Sequence, residues 1–460
     1  MTTLERLRYP AGPGSLEAIA KMNRGGLLRG AAAFFAETAQ AYGGLAHWKM
    51  GAQHFWLASD PAIVEDVLVH QTPHFHKGRG IQRLIPLLGH GLLTSEEPLH
   101  LRQRRLAQPA FHRDRIATYA AQMVEETQRA MRSWSDGAVV DVGETMMHVT
   151  LAIAARTLFG TNVDADARVI GNALTDAMKM LPVTMSPLGP LVDRMPWLPV
   201  ARRANAARAA LDTIIYRIIA ERRASGDRGD LLSMLLLASD EAETMSDEQV
   251  RDEAITMFTA GHETTANALT WTWALLGRAP EAAAKMRAEV DALLGTRAAT
   301  MADVETLAYT RDVLSEAMRL YPPAWVVSRL AMQPVVVGGY ALETNSVVIT
   351  SPYASHRNPN YFEDPLAFRP ERWAEIRPTL PKFAYFPFGG GNRRCIGEAF
   401  AWTESILALA TIAQKYTLEP VDANIPQVEP LVTLRPLTPV RARLTARRSR
   451  SAAASVDPVR

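Results

Sequence analysis

The only cysteine in 460 residues, Cys395, stands in the run FGGGNRRCIG, Phe388 to Gly397. Gly389, Gly390 and Gly391 let the backbone turn tightly and approach a flat partner, and Gly397 leaves no side chain beside the sulfur. The stretch Glu398 to Tyr416 reads as a helix. Its free N–H groups and the positive end of its dipole are therefore expected to favour the Cys395 thiolate. The fold must bring a Gly-rich turn, a lone thiol and a helix start to one point. Two readings of the residues stand at this stage. One is a buried structural thiol, the commoner fate of a free Cys. The other is a ligand that holds a metal, or an apolar metal cofactor, through one sulfur bond.

A second segment that strains local propensity is Asp247 to Arg278, a long helical pattern with few charges in its middle that contains AGHETT, Ala260 to Thr265. Gly261 is costly in a helix interior, and Thr264 and Thr265 are weak helix formers. A Thr hydroxyl can bond back to the carbonyl one turn earlier, and a Gly leaves a gap, so a small groove is one reading. A plain buried helix with a Gly packing contact is the other. Glu263 and Thr264 supply an acid and a hydroxyl side by side, as proton delivery requires. A zinc-protease helix is excluded, because Ala266 stands where H-E-x-x-H needs its second His. Further on, Glu316 and Arg319 share one face of a helix stopped by Tyr321, Pro322 and Pro323, and FRPERW with Arg372 follows. Upstream, His100 and Arg104 of HLRQRR lie one helical turn apart and can reach one anion.

The spacing F-x-x-G-x-R-x-C-x-G, carried by Phe388, Gly391, Arg393, Cys395 and Gly397, resembles the haem-thiolate loop of the cytochrome P450 superfamily. H-x-x-x-R, AGHETT, E-x-x-R, FRPERW and the Cys loop also occur in that family's order, so the resemblance spans nearly the whole chain. It implies an α+β, mainly α-helical fold with a long central helix over the haem and small β-sheets. It implies haem b (iron protoporphyrin IX) ligated by Cys395, with Phe388 and Gly397 beside it and the propionates held by His100, Arg104, Arg329 and Arg393. Glu263 and Thr264 become the proton relay, and Glu316, Arg319 and Arg372 a structural triad. The implied activity is hydroxylation of an apolar small molecule with O2. By family position the pocket is lined from Gly80–Leu93, Leu181–Leu191, Ala324–Val327 and the stretch around Leu431, including Leu84, Leu88, Met185, Phe258, Ala260, Trp325, Val326 and Val432. This largely aliphatic lining favours a terpenoid, fatty acid or steroid, with a lean toward terpenoid. Arg79 and Arg83 at the mouth are candidates for a carboxylate.

With 48% hydrophobic residues and no linker-like composition shift, residues 1–460 are expected to form one domain, with a disordered tail over 445–460. The helices expected include Ile116–Trp134, Ala201–Ala224 and Glu281–Leu294. Leu45–Asp60 reads as a hairpin around Gly51, and Pro334–Thr350 as further strand pairs. A net charge of +2 gives no reason to expect nucleic acid. One cysteine excludes an intramolecular disulfide framework and suits a reducing cytosol. No early apolar run approaches the roughly 20 residues of a membrane anchor. A soluble, cytoplasmic, bacterial-type monomer is therefore expected. No P-loop, no strand-borne G-x-G-x-x-G and no second domain follow Tyr416, so electrons are expected from a ferredoxin or flavodoxin with its reductase. Arg102, Arg105 and Arg394 are candidates for its docking face. A peroxide-driven hydroxylase, a haem-thiolate sensor or carrier, and a non-haem thiol hydrolase are the alternatives.

Overall fold

The computed structural model describes residues 9–161, 195, 197–237, 239–240 and 243–447. Its centre is the helix Asp247–Leu276. Ser246 starts this helix through a capping box: Gln249 N–H donates to the Ser246 hydroxyl at 3.2 Å, and Ser246 N–H donates to Gln249 Oε1 at 3.0 Å. All residues from 250 to 276 are buried except Ala260, Gly261 and Thr264. A helix enclosed on nearly every side must satisfy its hydroxyls internally. Thr270 and Thr272 accordingly donate to the carbonyls of Ala266 and Ala268 at 2.6 and 2.7 Å. The helix Val142–Phe159 lies against the central helix. Phe159 and Phe258 meet at 5.2 Å, and the Thr150 hydroxyl donates to the His262 carbonyl at 2.9 Å. Helices Arg113–Ala130, Ala308–Leu320 and Glu398–Lys415 close the helical body around the same apolar cluster.

A five-stranded sheet flanks this body, built from β1 (Leu45–Met50), β2 (Gln53–Ala58), β3 (Phe75–Lys77), β4 (Val327–Ala331) and β5 (Val347–Thr350), in the order β1-β2-β5-β4-β3. The expected hairpin is present, with Met50 opposite Gln53 and Gly51 at φ +60° in the turn. Pro334–Thr350 does hold a strand pair, Val335–Val337 with Tyr340–Leu342, while β5 leaves it to run parallel to β2 and antiparallel to β4. A last hairpin pairs β6 (Val428–Pro430) with β7 (Leu434–Pro436).

Several boundaries differ from expectation: the helix expected over Ile116–Trp134 runs Arg113–Ala130, and the central one ends at Leu276 rather than Arg278. The helix after Cys395 ends at Lys415, because Tyr416 opens a strand, Tyr416–Pro420, that pairs with Arg441–Ala446. Thr445 and Ala446 therefore belong to a sheet rather than a tail: Ala442 and Leu444 alternate inward, a period-2 pattern masked by the surrounding arginines. Arg447 is tied down as well, donating to Asp291 at 2.6 Å and to the Ala413 carbonyl. Residues 448–460 lie outside the described residues.

The segment that leads to Cys395 is fixed by Glu316, which has no solvent exposure. Its Oε1 accepts from Arg319 Nη2 at 2.8 Å, Arg372 Nε at 3.0 Å and Arg369 N–H at 3.0 Å. Its Oε2 accepts from Arg319 Nε at 2.9 Å and Trp373 Nε1 at 3.0 Å. Arg319 in turn donates to the carbonyls of His356, Pro365 and Ala367 at 2.9, 2.7 and 3.1 Å. His356 is fully enclosed, and burial holds its imidazole well below the ordinary range, so it is neutral. Its Nε2 accepts the Phe386 N–H at 3.0 Å. The triad thereby reaches the Cys loop through one histidine. Glu316→Gln keeps the shape but leaves two guanidiniums buried without their counter-charge. It is expected to lower unfolding free energy by about 3–5 kcal/mol in denaturant titrations, and a loss under about 1 kcal/mol, typical of exposed pairs, would contradict this account.

Candidate haem-thiolate site

The loop before Cys395 is shaped by glycines that nothing else could replace. Gly389 and Gly391 sit at φ +71° and +70°. A Cβ on Gly391 would fall 2.0 Å from the Leu68 carbonyl oxygen, and one on Gly390 would fall 2.3 Å from the Phe383 ring. Cys395 N–H donates to the Phe388 carbonyl at 3.0 Å and closes the turn. A Cβ on Gly397 would meet the sulfur at 4.0 Å and Phe111 at 3.7 Å, ordinary contacts, so packing does not demand a glycine there. Cys395 has an accessible surface yet is ringed by protein, as at the floor of a cleft. That enclosure pushes its thiol up to about 11, outweighing the lowering effects of the Gly397 N–H and of Arg104 and Arg394. The Gly397 N–H does favour the thiolate, as expected of a helix start, but burial acts more strongly in the opposite direction. A bound metal would favour loss of that proton.

Beside this loop the chain gathers buried positive charge. Lys77 on β3 stands directly opposite Arg329 on β4, and both are buried. Like charges facing each other across strands are unfavourable. Arg393 joins them, with His100 alongside. Burial first, then Arg393, lowers Arg329 to about 10, and burial, opposed by Glu96 but reinforced by Arg393 and Arg329, lowers Lys77 to about 7. Burial likewise lowers His100, whose Nδ1 pairs with Glu97 Oε1 at 2.9 Å. Glu96 answers part of the charge, pairing with Arg393 Nη2 at 2.5 Å and accepting Lys77 N–H at 2.6 Å. Yet Arg329 Nε and Arg393 Nε and Nη1 are buried with no hydrogen-bond partner among the described residues. Orphaned guanidinium donors in a cluster of like charge fit the carboxylates of an anionic cofactor. Arg104 stands apart from this cluster. It donates to the Arg394 carbonyl at 2.8 Å and lies in the field of Cys395. Lys77 was missed in the sequence because a three-residue strand carries no periodic signal.

On the central helix, Ala260, Gly261 and Thr264 form the one open strip, at positions i, i+1 and i+4 of one face. The nearest atom to a Cβ built on Gly261 is Leu158 Cδ1 at 3.9 Å, so packing does not demand this glycine. Thr264 and Thr265 donate back to the carbonyls of Ala260 and Gly261 at 2.8 and 3.2 Å, as expected. Glu263 and Thr264 are not brought together. Glu263 is buried, and its Oε1 accepts from Thr433 Oγ1 and from Arg435 Nε and Nη2 at 2.9 and 2.7 Å, which ties it to the β6–β7 hairpin. A second buried acid, Glu404, lies beside Thr265, and burial holds its carboxyl well above the usual range. Its place in an ordinary amphipathic-looking helix hid it.

Among the expected pocket residues, Ala260 is exposed and Val326 and Val432 are half-buried. Leu84, Leu88 and Phe258 are enclosed in the central apolar cluster. Trp325 is not a free wall: it stacks on Phe35 at 5.8 Å within the sheet-side core, and its indole N–H donates to the Leu431 carbonyl at 2.9 Å. Met185 lies outside the described residues.

The fold thus brings together an accessible cysteine on a glycine turn, a cluster of crowded cations with orphaned donors, and an open strip on a long buried helix. The chain belongs to the cytochrome P450 family, whose profile, Cytochrome P450, it matches over residues 15–441. It is 40% identical to cyclooctatin synthase of Streptomyces melanosporofaciens, over 87% of this chain and 88% of the relative. It is 38% identical to cyclooctat-9-en-7-ol 5-monooxygenase of the same organism, over 84% and 85%, and 34% identical to pentalenene oxygenase of Streptomyces avermitilis, over 90% and 92%. The crystal structure of the cytochrome P450DA heme domain superimposes with a TM-score of 0.84 at 29% identity, covering 97% of this chain and 99% of that one. The protein is a haem-dependent monooxygenase that uses O2, electrons from a redox partner and an apolar substrate. Among the described residues no helix is long and apolar enough to cross a membrane.

Arg329→Met removes one of the crowded cations. Haem affinity is expected to fall about tenfold or more, the worth of a charge-assisted hydrogen bond, while the haem-free protein melts no lower than wild type. Wild-type haem affinity in this variant would contradict the assignment.

Proposed function

We propose that the protein hydroxylates a cyclic terpenoid, with haem b as cofactor, as a cytoplasmic monomer supplied with electrons by a ferredoxin or flavodoxin and its reductase. The observation that carries the substrate class is the open strip of Ala260, Gly261 and Thr264, a face without a charge set in an apolar body with Leu84, Leu88, Phe258 and Val432. Relatives named for oxygenation of pentalenene and of cyclooctat-9-en-7-ol support the same reading. Such a lining desolvates a hydrocarbon and leaves shape to set its orientation.

Bound haem, ligated by the Cys395 sulfur, would supply reductive activation of dioxygen and transfer of one oxygen atom to a C–H bond. The chain's own part is to orient and to meter protons. Thr264 holds a proton at Oγ1, at present donated to the Ala260 carbonyl. Glu263, held by Arg435, has to be freed from the hairpin before it can pass a proton toward Thr264. For the electron donor, Arg102, Arg105 and Arg394 are the candidates for the docking charge, Arg394 being paired with Glu398 at 2.5 and 2.7 Å. A surface concavity of about 400 Å³ lined by Leu101, Arg104, Arg105, Gln108, Pro109 and His112 lies on that face.

The test is a panel of terpene hydrocarbons and fatty acids, read by substrate-induced absorption shifts and by product analysis with a surrogate redox system. Terpenes are expected to shift the spectrum and give mono-hydroxylated products. Turnover of fatty acids alone would overturn the substrate class. Thr264→Ala is expected to keep the haem spectrum while product per reducing equivalent falls about tenfold or more and peroxide appears, the size of a typical general-acid contribution. Unchanged coupling would remove Thr264 from the relay.

A further inference from the structure

We propose that Lys77 is a positioning residue that couples the haem propionates to the pocket-side segment Leu84–Ser95, by carrying the charge that holds that segment's backbone in place. The inference rests on the haem reading above. The Lys77 ammonium is buried and donates to two carbonyls of this segment, Leu92 at 2.8 Å and Ser95 at 2.6 Å. From the other side, three consecutive residues of the central helix hold the same segment. Arg251 Nη2 donates to the Leu87 carbonyl at 3.1 Å, Asp252 Oδ2 accepts His90 N–H at 2.7 Å, and Glu253 Oε2 accepts Leu92 N–H at 3.1 Å. The peptide groups on either side of Leu92 are thus held between a buried acid on the helix and a buried base on β3. Gly89 and Gly91 allow the approach, since a Cβ on either would fall within 2.0–2.3 Å of Asp252 or Thr256 side-chain oxygens. Leu84, Leu88 and Leu92 share the apolar cluster of Phe258, so their placement sets the wall of the pocket.

The two sides of this clamp are not equally secure. Lys77 faces Arg329 and Arg393, with His100 near, and Glu96 and Glu97, with Glu253 across the segment, oppose them. In that company the ammonium is held near the edge of deprotonation, at about 7, and a neutral amine donates weakly. Glu253 across the segment is itself raised to about 8 by burial, with Asp252 adding and Leu92 N–H and Lys77 opposing. A pair of carboxylates set among Lys77, Arg329 and Arg393 would restore the ammonium and strengthen both of its bonds. Cofactor binding would then stiffen the pocket wall without touching a pocket side chain.

Hydrogen–deuterium exchange of the haem-loaded protein tests this, with haem content and ligation checked in every sample. Peptides covering 88–95 in Lys77→Met are expected to exchange about tenfold faster than wild type, as for the loss of local protection, while Lys77→Arg stays close to wild type. Wild type reconstituted with haem dimethyl ester, whose propionates carry no charge, should exchange as Lys77→Met does. Wild-type protection in haem-loaded Lys77→Met, or in the ester-loaded protein, would overturn the coupling. If Lys77→Met does not accumulate folded, the ester-loaded wild type decides. Failure of wild type to bind haem would instead remove the underlying haem reading.

Discussion

Everything near Cys395 depends on one carboxylate that never sees water. Glu316 neutralises Arg319 and Arg372 inside the core and accepts an indole N–H and a backbone N–H besides. Burying three charges is unfavourable unless every lone pair and donor is answered, and here the answers come from carbonyls spread over residues 356–367. The same bonds that stabilise the charges therefore fix an irregular segment that has no helix or sheet ladder of its own. His356 passes that order on, since Arg319 binds its carbonyl and Phe386 N–H binds its ring. The glycine turn and Cys395 start from that fixed point.

Where the triad balances its charges, the neighbouring site leaves them unbalanced. Lys77 and Arg329 oppose each other across two strands, Arg393 crowds them, and three of their guanidinium nitrogens have no partner among the described residues. Cys395 is likewise held as a thiol by its enclosure. The crowded cations cost stability in the isolated chain, and carboxylates set among them would offset that cost. Such local conflict marks a binding site rather than a fold determinant. The central helix follows the same logic, with a glycine that packing does not require and two hydroxyls turned back onto its own carbonyls.

Much of this was legible in the residues. The spacing around Cys395, the pairing of Glu316 with Arg319 and Arg372, and the departure from helix propensity at Gly261 and Thr264 all correspond to observed geometry, because each depends on local spacing or on a motif of fixed order. Less legible were properties set by distant neighbours. Lys77 carried no signal of its own in the sequence, and only strand pairing sets it opposite Arg329. Glu263 and Thr264 are adjacent in sequence, yet the helix turns them apart and Arg435, far along the chain, takes the acid. Trp325 was expected to line the pocket, but its indole N–H needed an acceptor and found Leu431. The favourable effect of a helix start on Cys395 can be read from the sequence, whereas the opposing burial cannot.

The central claim is that Cys395 ligates haem through its sulfur. The most direct test is the absorption spectrum of dithionite-reduced protein under carbon monoxide, for wild type and Cys395→Ser at matched haem content. The account predicts the strongly red-shifted Soret band of thiolate-ligated haem in wild type and its absence in the variant. The same red-shifted band in both proteins, or its absence from haem-loaded wild type, would contradict it.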